Sequence, residues 1–305
     1  MKKNVLLLYN PGAGYGKHDE NELIKLIEAE GHQCECRSVK EKGWGDIPAE
    51  TEWIAVAGGD STVRKVMERI QEQPVDDPVW PLGILPLGTT NNIAGSFGLT
   101  DLTAAQLVKS WGANSTRFNT ATVSQGGKDS LMCEAMGFGF LPAYILDKKK
   151  KASFEGLPEE RVKEECRILL ESLKHIKAKH YEIGSDGLRQ AGHYISLQVM
   201  NIPLAGPDLL LTPQADPSDG LLDLVAFTID DRAKLARYLR KRIEGKQPVL
   251  EVETVRLKKI QIHTTDERYH IDDNLFSNDA SRILEISVNA RALKVFVPGG
   301  YRVPD

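Results

Sequence analysis

The chain reads Trp53-Ile-Ala-Val-Ala-Gly-Gly-Asp-Ser-Thr62 at the point where an apolar run gives way to a helical pattern. The apolar run predicts a buried strand, and the apolar series that follows at helical spacing predicts a helix. Gly58 and Gly59 form a tight turn between the two. Such a turn exposes backbone N–H groups at a helix N-terminus, where an anion such as phosphate binds favourably. Taken alone, the stretch is also typical of an ordinary strand-to-helix connection.

Two further glycine loops follow predicted strands. Asn10-Pro-Gly-Ala-Gly-Tyr-Gly-Lys17 comes after the apolar residues 5–9, and Leu82-Gly-Ile-Leu-Pro-Leu-Gly-Thr-Thr-Asn-Asn92 contains both an apolar strand and a glycine turn. The first loop is not the phosphate loop G-x-x-x-x-G-K-[ST], because Pro11 stands at the first glycine and His18 follows the lysine. It does not match the dinucleotide pattern G-x-G-x-x-G either.

Strands alternate with helices in the first part of the chain, which predicts a parallel sheet covered by helices on both faces. Ligands of such sheets lie beyond the carboxyl ends of the strands. Each of the three glycine loops follows the carboxyl end of a predicted strand. We therefore expect the loops to converge on one edge of the sheet and to bind a polyphosphate together.

The composition is that of an ordinary globular protein. The chain has 305 residues, of which 41% are hydrophobic and 27% are charged, and its net charge is −4. This length favours two domains, and the negative charge argues against a nucleic-acid partner. The four cysteines include no C-x-x-C pair and suit neither a zinc site nor a disulfide framework, which favours a reduced cytoplasmic setting. No apolar run approaches the ~18 residues of a transmembrane helix.

The second part of the chain has a different texture. From Arg117 onward, short alternating runs predict antiparallel strands, interrupted by helices at about residues 158–179 and 230–244. We therefore expect a mainly β second domain with a boundary near residue 120. The run Lys148-Lys-Lys-Lys151 suits a contact with anionic lipid head groups, although a solvated loop is the commoner explanation of such a run.

The motifs resemble the successive signatures of the diacylglycerol kinase catalytic domain family, which includes bacterial lipid kinases, sphingosine kinases and ceramide kinases. They are Asn10-Pro-Gly-Ala-Gly14, Gly58-Gly-Asp-Ser-Thr62, Pro86-Leu-Gly-Thr-Thr-Asn91 and Gln214-Ala-Asp-Pro-Ser-Asp-Gly-Leu-Leu-Asp223. The resemblance implies an α/β nucleotide-binding domain at residues 1–120, with a parallel sheet like that of NAD kinases and diacylglycerol kinases. It also implies a β-sandwich lipid-substrate domain at residues 121–289, with the active site between the two. Residues 290–305 could return to the first domain.

ATP and Mg²⁺ are the cofactors that the resemblance implies. The residues expected at the nucleotide are Asn10, Gly12, Gly14, Gly58, Gly59, Asp60, Ser61, Thr62, Val63, Thr89 and Asn91. Asp60 would also be a catalytic residue, the acidic side chain near the metal and the γ-phosphate. Asp219, with backbone oxygens of Asp216 and Leu221, matches a structural magnesium site, and oxygen ligands in a tight loop suit this hard cation. The same residues also make a good ordinary turn.

The departures from the family pattern concern catalysis. Asn92, Asn119 and Asn274 stand where the family carries acids, and Asn274 occupies the position of the family's general base. An amide cannot take a proton from a lipid hydroxyl, and it binds Mg²⁺ more weakly than a carboxylate. Loss of a general base typically lowers a rate by ~10²–10⁴-fold. The neighbouring Asp272 and Asp273 are the candidates to replace it.

Three functions are consistent with these observations. The first is an ATP-dependent lipid kinase acting on a diacylglycerol-type lipid, as a cytoplasmic protein peripheral to the inner membrane surface. The second is a relative that binds nucleotide or lipid without turnover, which the three amides favour. The third is an NAD kinase, which shares the G-G-D turn. Its Asn-Glu pair is missing after Asn91, and the one such pair, Asn21-Glu22, lies far upstream. The sequence leaves open whether the protein forms a homodimer.

Overall fold

The computed structural model describes residues 2–16, 19–73, 80–151, 156–185, 187–280 and 282–301. Lys17 and His18, at the end of the first glycine loop, lie outside these ranges. The strands are β1 Asn4–Tyr9, β2 Gln33–Ser38, β3 Trp53–Gly58, β4 Pro81–Pro86, β5 Ser115–Phe118, β6 Ala121–Gln125, β7 Lys128–Met132, β8 Ala135–Gly139, β9 Lys179–Ser185, β10 Leu188–Tyr194, β11 Ser196–Met200, β12 Leu204–Ala205, β13 Leu209–Leu210, β14 Leu222–Phe227, β15 Thr254–Leu257, β16 Lys259–Thr264, β17 Arg268–Ile271, β18 Asn274–Ser277, β19 Leu284–Val288 and β20 Leu293–Phe296. The helices are α1 Glu20–Ala29, α2 Asp60–Gln71, α3 Asn92–Ser96, α4 Ala104–Ser110, α5 Phe140–Lys150, α6 Pro158–His175 and α7 Arg232–Ile243.

The chain forms two compact units. Unit 1 comprises the chain up to Asn119 together with a C-terminal segment that begins at Ala290, and unit 2 comprises Thr120–Asn289. Each unit has its own sheets and its own apolar core.

The sheet of unit 1 has the strand order β2-β1-β3-β4-β20-β5. All neighbouring strands are parallel except β20 and β5. Residues 54–57 of the central strand β3 are completely buried, as expected for a parallel strand covered on both faces. The α/β prediction for the N-terminal part of the chain is therefore confirmed.

β20 is the element of unit 1 that local sequence patterns do not place. It inserts between β4 and β5, with Val295 opposite Leu82 and Lys294 opposite Arg117. The alternation of Leu293, Val295 and Val297 predicts a strand but carries no information on its partners, because those partners lie far away in the sequence.

Unit 2 contains two six-stranded antiparallel sheets. Their orders are β10-β9-β16-β19-β6-β7 and β15-β14-β11-β8-β17-β18. One apolar cluster joins side chains from both sheets, including Ile183 and Ile286 from the first and Phe138 and Leu224 from the second. The two sheets therefore pack face to face, and the prediction of a β-sandwich is confirmed.

A layer of helices covers the other face of the second sheet. A second apolar cluster there combines residues of α5, α6 and α7 with strand residues such as Met200 and Phe227. Helix α6 ends at His175, earlier than its apolar pattern suggests, because β9 already begins at Lys179. None of the helices in the described ranges has the length and apolar character needed to cross a membrane.

Candidate functional site

The three glycine loops lie at one edge of the unit 1 sheet. They follow β1, β3 and β4, which are neighbouring parallel strands, so their carboxyl ends are adjacent. The amide of Asn10 donates to the carbonyl of Ala57 at 2.9 Å, and the amide of Leu87 donates to that of Gly58 at 2.9 Å. Backbone hydrogen bonds thus continue from the strands into the beginning of the loops.

Glycine is required where the second and third loops approach each other. A Cβ atom added to Gly88 would lie 2.5 Å from the Cα atom of Gly59, and one added to Gly59 would lie 3.0 Å from the Cα atom of Gly88. Any side chain at Gly88 would therefore separate the two backbones. Close approach of backbone to backbone is one of the physical reasons for glycine.

Asn10 links the first loop to the start of α2. Its Nδ2 atom donates to Thr62 Oγ1 at 2.9 Å, and its Oδ1 atom accepts from the Gly12 amide at 3.0 Å. Gly14 adopts a left-handed backbone with φ of 56°. At the beginning of α2, Ser61 is exposed whereas Thr62 and Val63 are buried. The amides of Thr62 and Val63 donate to the Gly59 carbonyl at 2.9 and 3.1 Å. The positive end of the helix dipole still favours an anion at this end of α2.

Asp60 connects the second loop to the third. Its carboxylate is buried and accepts from the amides of Asn92 at 3.0 Å and Ile93 at 2.9 Å, and from the Thr90 hydroxyl at 3.2 Å. The side chain therefore caps the N-terminus of α3 from a different helix, which is a favourable position for a negative charge. The sequence suggested the chemical role of Asp60 but not this positional one, because the capped helix begins 32 residues later.

Asn91 closes the third loop on itself. It has a left-handed backbone, with φ of 52°, and its side chain accepts from the Gly88 amide at 2.8 Å and donates to the Gly88 carbonyl at 3.0 Å. Thr89 is half-buried at the tip of this loop. The geometry of residues 88–91 is thus fixed from within by Asn91 and from α2 by Asp60.

Lys40 is a residue of this edge that the motifs did not reveal. A Cβ atom added to Gly12 would lie 2.9 Å from Lys40 Nζ, so the ammonium group is next to the first loop. The backbone before it is held by the Val39 amide, which donates to the Tyr9 carbonyl at 2.9 Å, and by Lys65 Nζ, which donates to the Val39 carbonyl at 2.8 Å. Lys40 follows β2, so the rule that ligands bind beyond carboxyl ends could have identified it.

Two of the amides that replace family acids are buried in unit 1. Asn92 and Asn119 are each 2% exposed. Asn92 begins α3, directly beside the Asp60 carboxylate. A second buried carboxylate at this position would need a cation to offset it, and the neutral amide removes that requirement.

In unit 2, Asp272 lies in the two-residue turn between β17 and β18. Its backbone is left-handed, with φ of 49°. Its carboxylate accepts from the amides of Cys133 at 3.1 Å, Glu134 at 2.8 Å and Ala135 at 3.2 Å. Burial lowers the pKa of His270 to about 4, and its Nδ1 atom lies 2.9 Å from the Asp272 carbonyl oxygen. Asp272 is therefore a clamp between two chain segments.

The other two candidates of this turn have different surroundings. Asp273 and Asn274 are both exposed. A proton acceptor must be accessible to the group that it deprotonates, and the carboxylate of Asp272 already binds three backbone amides. The geometry thus favours Asp273 over Asp272 as a replacement base.

The expected magnesium loop of unit 2 is internally hydrogen-bonded. Asp216 Oδ1 accepts from the Ser218 amide at 2.8 Å and from its hydroxyl at 2.7 Å, and Asp219 Oδ1 accepts from the Leu221 amide at 2.8 Å. Asp219 Oδ2 also forms an ion pair with Arg256. In the described ranges, no group of three or more His, Cys, Asp and Glu side chains is arranged to hold a metal ion.

Asp223, in β14 directly after this loop, is an unexpected feature. It is 2% exposed, and its Oδ1 atom has no hydrogen-bond partner among the described residues. Burial, and then the charge of Asp216, raise the pKa of Asp223 to about 6. An unpartnered buried carboxylate oxygen beside a second carboxylate is an environment that a cation would stabilise. A cation beside Asp223 would offset this charge, although the described residues form no ready-made set of metal ligands.

Comparison with known proteins identifies two family domains. Residues 4–123 match the diacylglycerol kinase catalytic domain, and residues 165–297 match the YegS C-terminal NAD kinase beta sandwich-like domain. The two matches fall in the same order as the α/β and β-sandwich parts of the chain. Together they account for most of its length.

Relatives and solved structures agree with this assignment. A diacylglycerol kinase of Mycobacterium tuberculosis is 25% identical over 315 residues, which cover 96% of this chain and 95% of the relative. A protein of Salmonella arizonae named "Probable lipid kinase YegS" is 29% identical over 228 residues, which cover 70% of this chain and 72% of the relative. A solved diacylglycerol kinase structure from Bacillus anthracis str. Sterne has the same fold, with a TM-score of 0.70, 18% identity and 98% coverage of both chains. By its motifs, its fold and these two matches, the chain is therefore similar to lipid kinases with a diacylglycerol kinase catalytic domain, with residues 4–123 corresponding to that domain and residues 165–297 to the β-sandwich-like domain.

Proposed function

We propose that this protein is an ATP-dependent lipid kinase that transfers the γ-phosphate of ATP to the hydroxyl group of a diacylglycerol-type lipid. We further propose that it works as a cytoplasmic protein at the inner membrane surface. The observation that carries the proposal is the meeting of three glycine loops at one edge of the unit 1 sheet, with Asp60 fixing two of them to each other. The ammonium group of Lys40 beside the first loop adds the positive charge that a polyphosphate requires.

Phosphoryl transfer depends mainly on positioning and on neutralising charge. In our proposal, the backbone amides at the start of α2 bind phosphate oxygens, and Lys40 neutralises part of the phosphate charge. Asp60 acts as a positioning residue, because its cap on α3 holds residues 88–91 against the start of α2. Mg²⁺ arriving with the nucleotide would supply further charge neutralisation. Asp273 is our candidate acceptor for the proton of the lipid hydroxyl.

Replacing Lys40 with methionine is expected to raise the Kd for ATP about tenfold, because a charge-assisted hydrogen bond to a phosphate oxygen is lost. The Kd for AMP should change by no more than about twofold, because AMP lacks the distal phosphates. Isothermal titration calorimetry with both nucleotides measures this difference. Lys42→Met is the matched control, since Lys42 is an exposed lysine two residues further along. If the two substitutions changed the Kd for ATP equally, Lys40 would not be part of the nucleotide site.

Addition of Mg²⁺ is expected to raise the thermal midpoint of unfolding, through the oxygen donors of the loop from Asp216 to Asp223. Asp223→Asn should abolish most of this increase. The same substitution should stabilise the metal-free protein by about 1–3 kcal/mol, because it removes a buried carboxylate whose Oδ1 atom has no hydrogen-bond partner among the described residues. Differential scanning calorimetry with and without Mg²⁺ measures both the stabilisation of the metal-free variant and the loss of the Mg²⁺ effect. A substitution that destabilises the metal-free protein and leaves the Mg²⁺ effect intact would contradict the role of Asp223.

A second candidate function is a relative that binds nucleotide or lipid without turnover. The observation in its favour is that two of the aspartates expected at the active site are engaged in the fold, since Asp60 caps α3 and the Asp272 carboxylate binds the amides of residues 133–135. The buried amides Asn92 and Asn119 point in the same direction.

Labelled ATP and a lipid panel separate the two functions. The panel should contain diacylglycerol, phosphatidylglycerol, ceramide and a sphingoid base in mixed micelles, with NAD as a soluble acceptor. Transfer to diacylglycerol at a rate of about one per second or more would establish the kinase. Nucleotide binding by calorimetry without transfer to any lipid would establish the binding protein instead.

A further inference from the structure

Helix α7 carries an unusual concentration of positive charge. Six of its 12 residues are lysine or arginine, and none is acidic, although the whole chain has a net charge of −4. The helix belongs to the layer that covers one face of the second sheet of unit 2. This local charge therefore opposes the charge of the protein as a whole.

The basic residues of α7 divide into a buried and an exposed group. Arg242 is buried and forms an ion pair with Asp208 at 2.5 Å, so it serves the fold. Arg237, Arg240 and Lys241 are exposed, and within the described part of the chain none of them forms an ion pair. Spacings of three and four residues place them on one arc of the helix, where like charges repel. The arc would therefore be stabilised by an anionic partner.

A groove lies beside this arc, between α6 and α7. Its volume is about 450 Å³. The apolar part of its lining includes Leu170, Leu173 and Ala236. Its charged part contains four basic residues and one acidic residue, namely Lys174, Arg232, Arg237, Arg240 and Asp230. Ile229, at the entrance to α7, is 50% exposed and also lines the groove. Apolar and cationic surfaces are thus next to each other.

We infer that the exposed arc of α7 and the groove beside it form a docking surface for an anionic lipid bilayer. This inference rests on the proposed lipid kinase function, which requires access to a membrane lipid. Basic side chains attract the anionic head groups, while Ile229 and the apolar lining suit the acyl boundary. A nucleic acid or an acidic protein would pair with the charges but would not supply an apolar surface for the exposed Ile229 and the apolar lining.

Sedimentation with vesicles tests the surface. The probes are vesicles of phosphatidylglycerol mixed with phosphatidylcholine, and vesicles of phosphatidylcholine alone. The triple variant Arg237→Gln, Arg240→Gln, Lys241→Gln should bind the anionic vesicles about a hundredfold less tightly, at roughly one kcal/mol per basic residue. Ile229→Ser should weaken binding about fivefold without changing the charge.

The matched control removes the same number of charges from the lysine run at the C-terminal end of α5, as Lys149→Gln, Lys150→Gln, Lys151→Gln. We expect it to change vesicle binding by less than about threefold. Equal losses in the two triple variants would overturn the inference, as would unchanged binding of the α7 variant or equally tight binding of the native protein to RNA or polyglutamate. Thermal midpoints confirm that each variant is folded. Vesicle binding is measured without ATP, so a failure of the kinase proposal in the transfer assay is a separate outcome.

Discussion

Replacing Asp272 with asparagine is expected to destabilise the protein by about 2–4 kcal/mol, because three buried backbone amides share its carboxylate. Asparagine tolerates the left-handed backbone of this position, so the loss would come from the side-chain charge and not from the turn. Chemical denaturation at neutral pH measures the change. If Asp272 were instead the general base, the substitution would abolish transfer while leaving the stability unchanged.

Asp273→Asn is the control that separates the clamp from the base. Asp273 is exposed in the same turn, so the free energy of unfolding should change by no more than about 0.5 kcal/mol. Under our proposal, lipid phosphorylation should fall by ~10²–10⁴-fold. Full activity in Asp273→Asn, together with a stable and inactive Asp272→Asn, would reverse the two assignments.

Replacing Asp60 with asparagine is expected to have the largest effect in unit 1. The amide can present one oxygen, but its NH₂ group would then face the backbone donor of Asn92 or Ile93. We expect a loss of about 2–4 kcal/mol in the free energy of unfolding and at least a tenfold increase in the Kd for ATP. Phosphoryl transfer should become undetectable, because the loop of residues 88–91 is no longer held against α2.

Ser61→Ala tests whether the effect of Asp60 is specific. Ser61 is exposed and occupies the next position of α2, so its substitution should leave stability within about 0.5 kcal/mol of the native protein. A folded Asp60→Asn protein with native stability and native ATP affinity would show that the cap is unimportant. If Asp60→Asn instead kept native stability and ATP affinity but lost phosphoryl transfer, Asp60 would have a purely chemical role.

Local patterns in the sequence were sufficient to predict the fold class. The apolar run of β3 and the helical spacing of α2 are clear signals, because each is contained in one short stretch of sequence and each element buries its apolar residues. The alternating runs after residue 120 similarly predict the β-sandwich. What these patterns could not predict is the partner of each strand, and β20 between β4 and β5 is the clearest case.

The candidate site was predictable only where a motif marks it. The glycine loops were identified because tight turns restrict residue choice, as at Gly59 and Gly88. The cap from Asp60 to α3, the clamp of Asp272 on residues 133–135 and the position of Lys40 were missed. These contacts join residues that are distant in sequence. The position of a single lysine or aspartate in the sequence does not indicate which residue it contacts in the fold.

The position of β20 has a consequence for biosynthesis. β5 pairs with no strand of its sheet other than β20 within the described part of unit 1, and β20 also covers the side of β4 that faces away from β3. During translation, residues 293–296 must therefore leave the ribosome before this sheet can close. Unit 2 is contiguous in sequence, so it can fold first. The sheet of unit 1 would then be completed only after residues 293–296 have been synthesised.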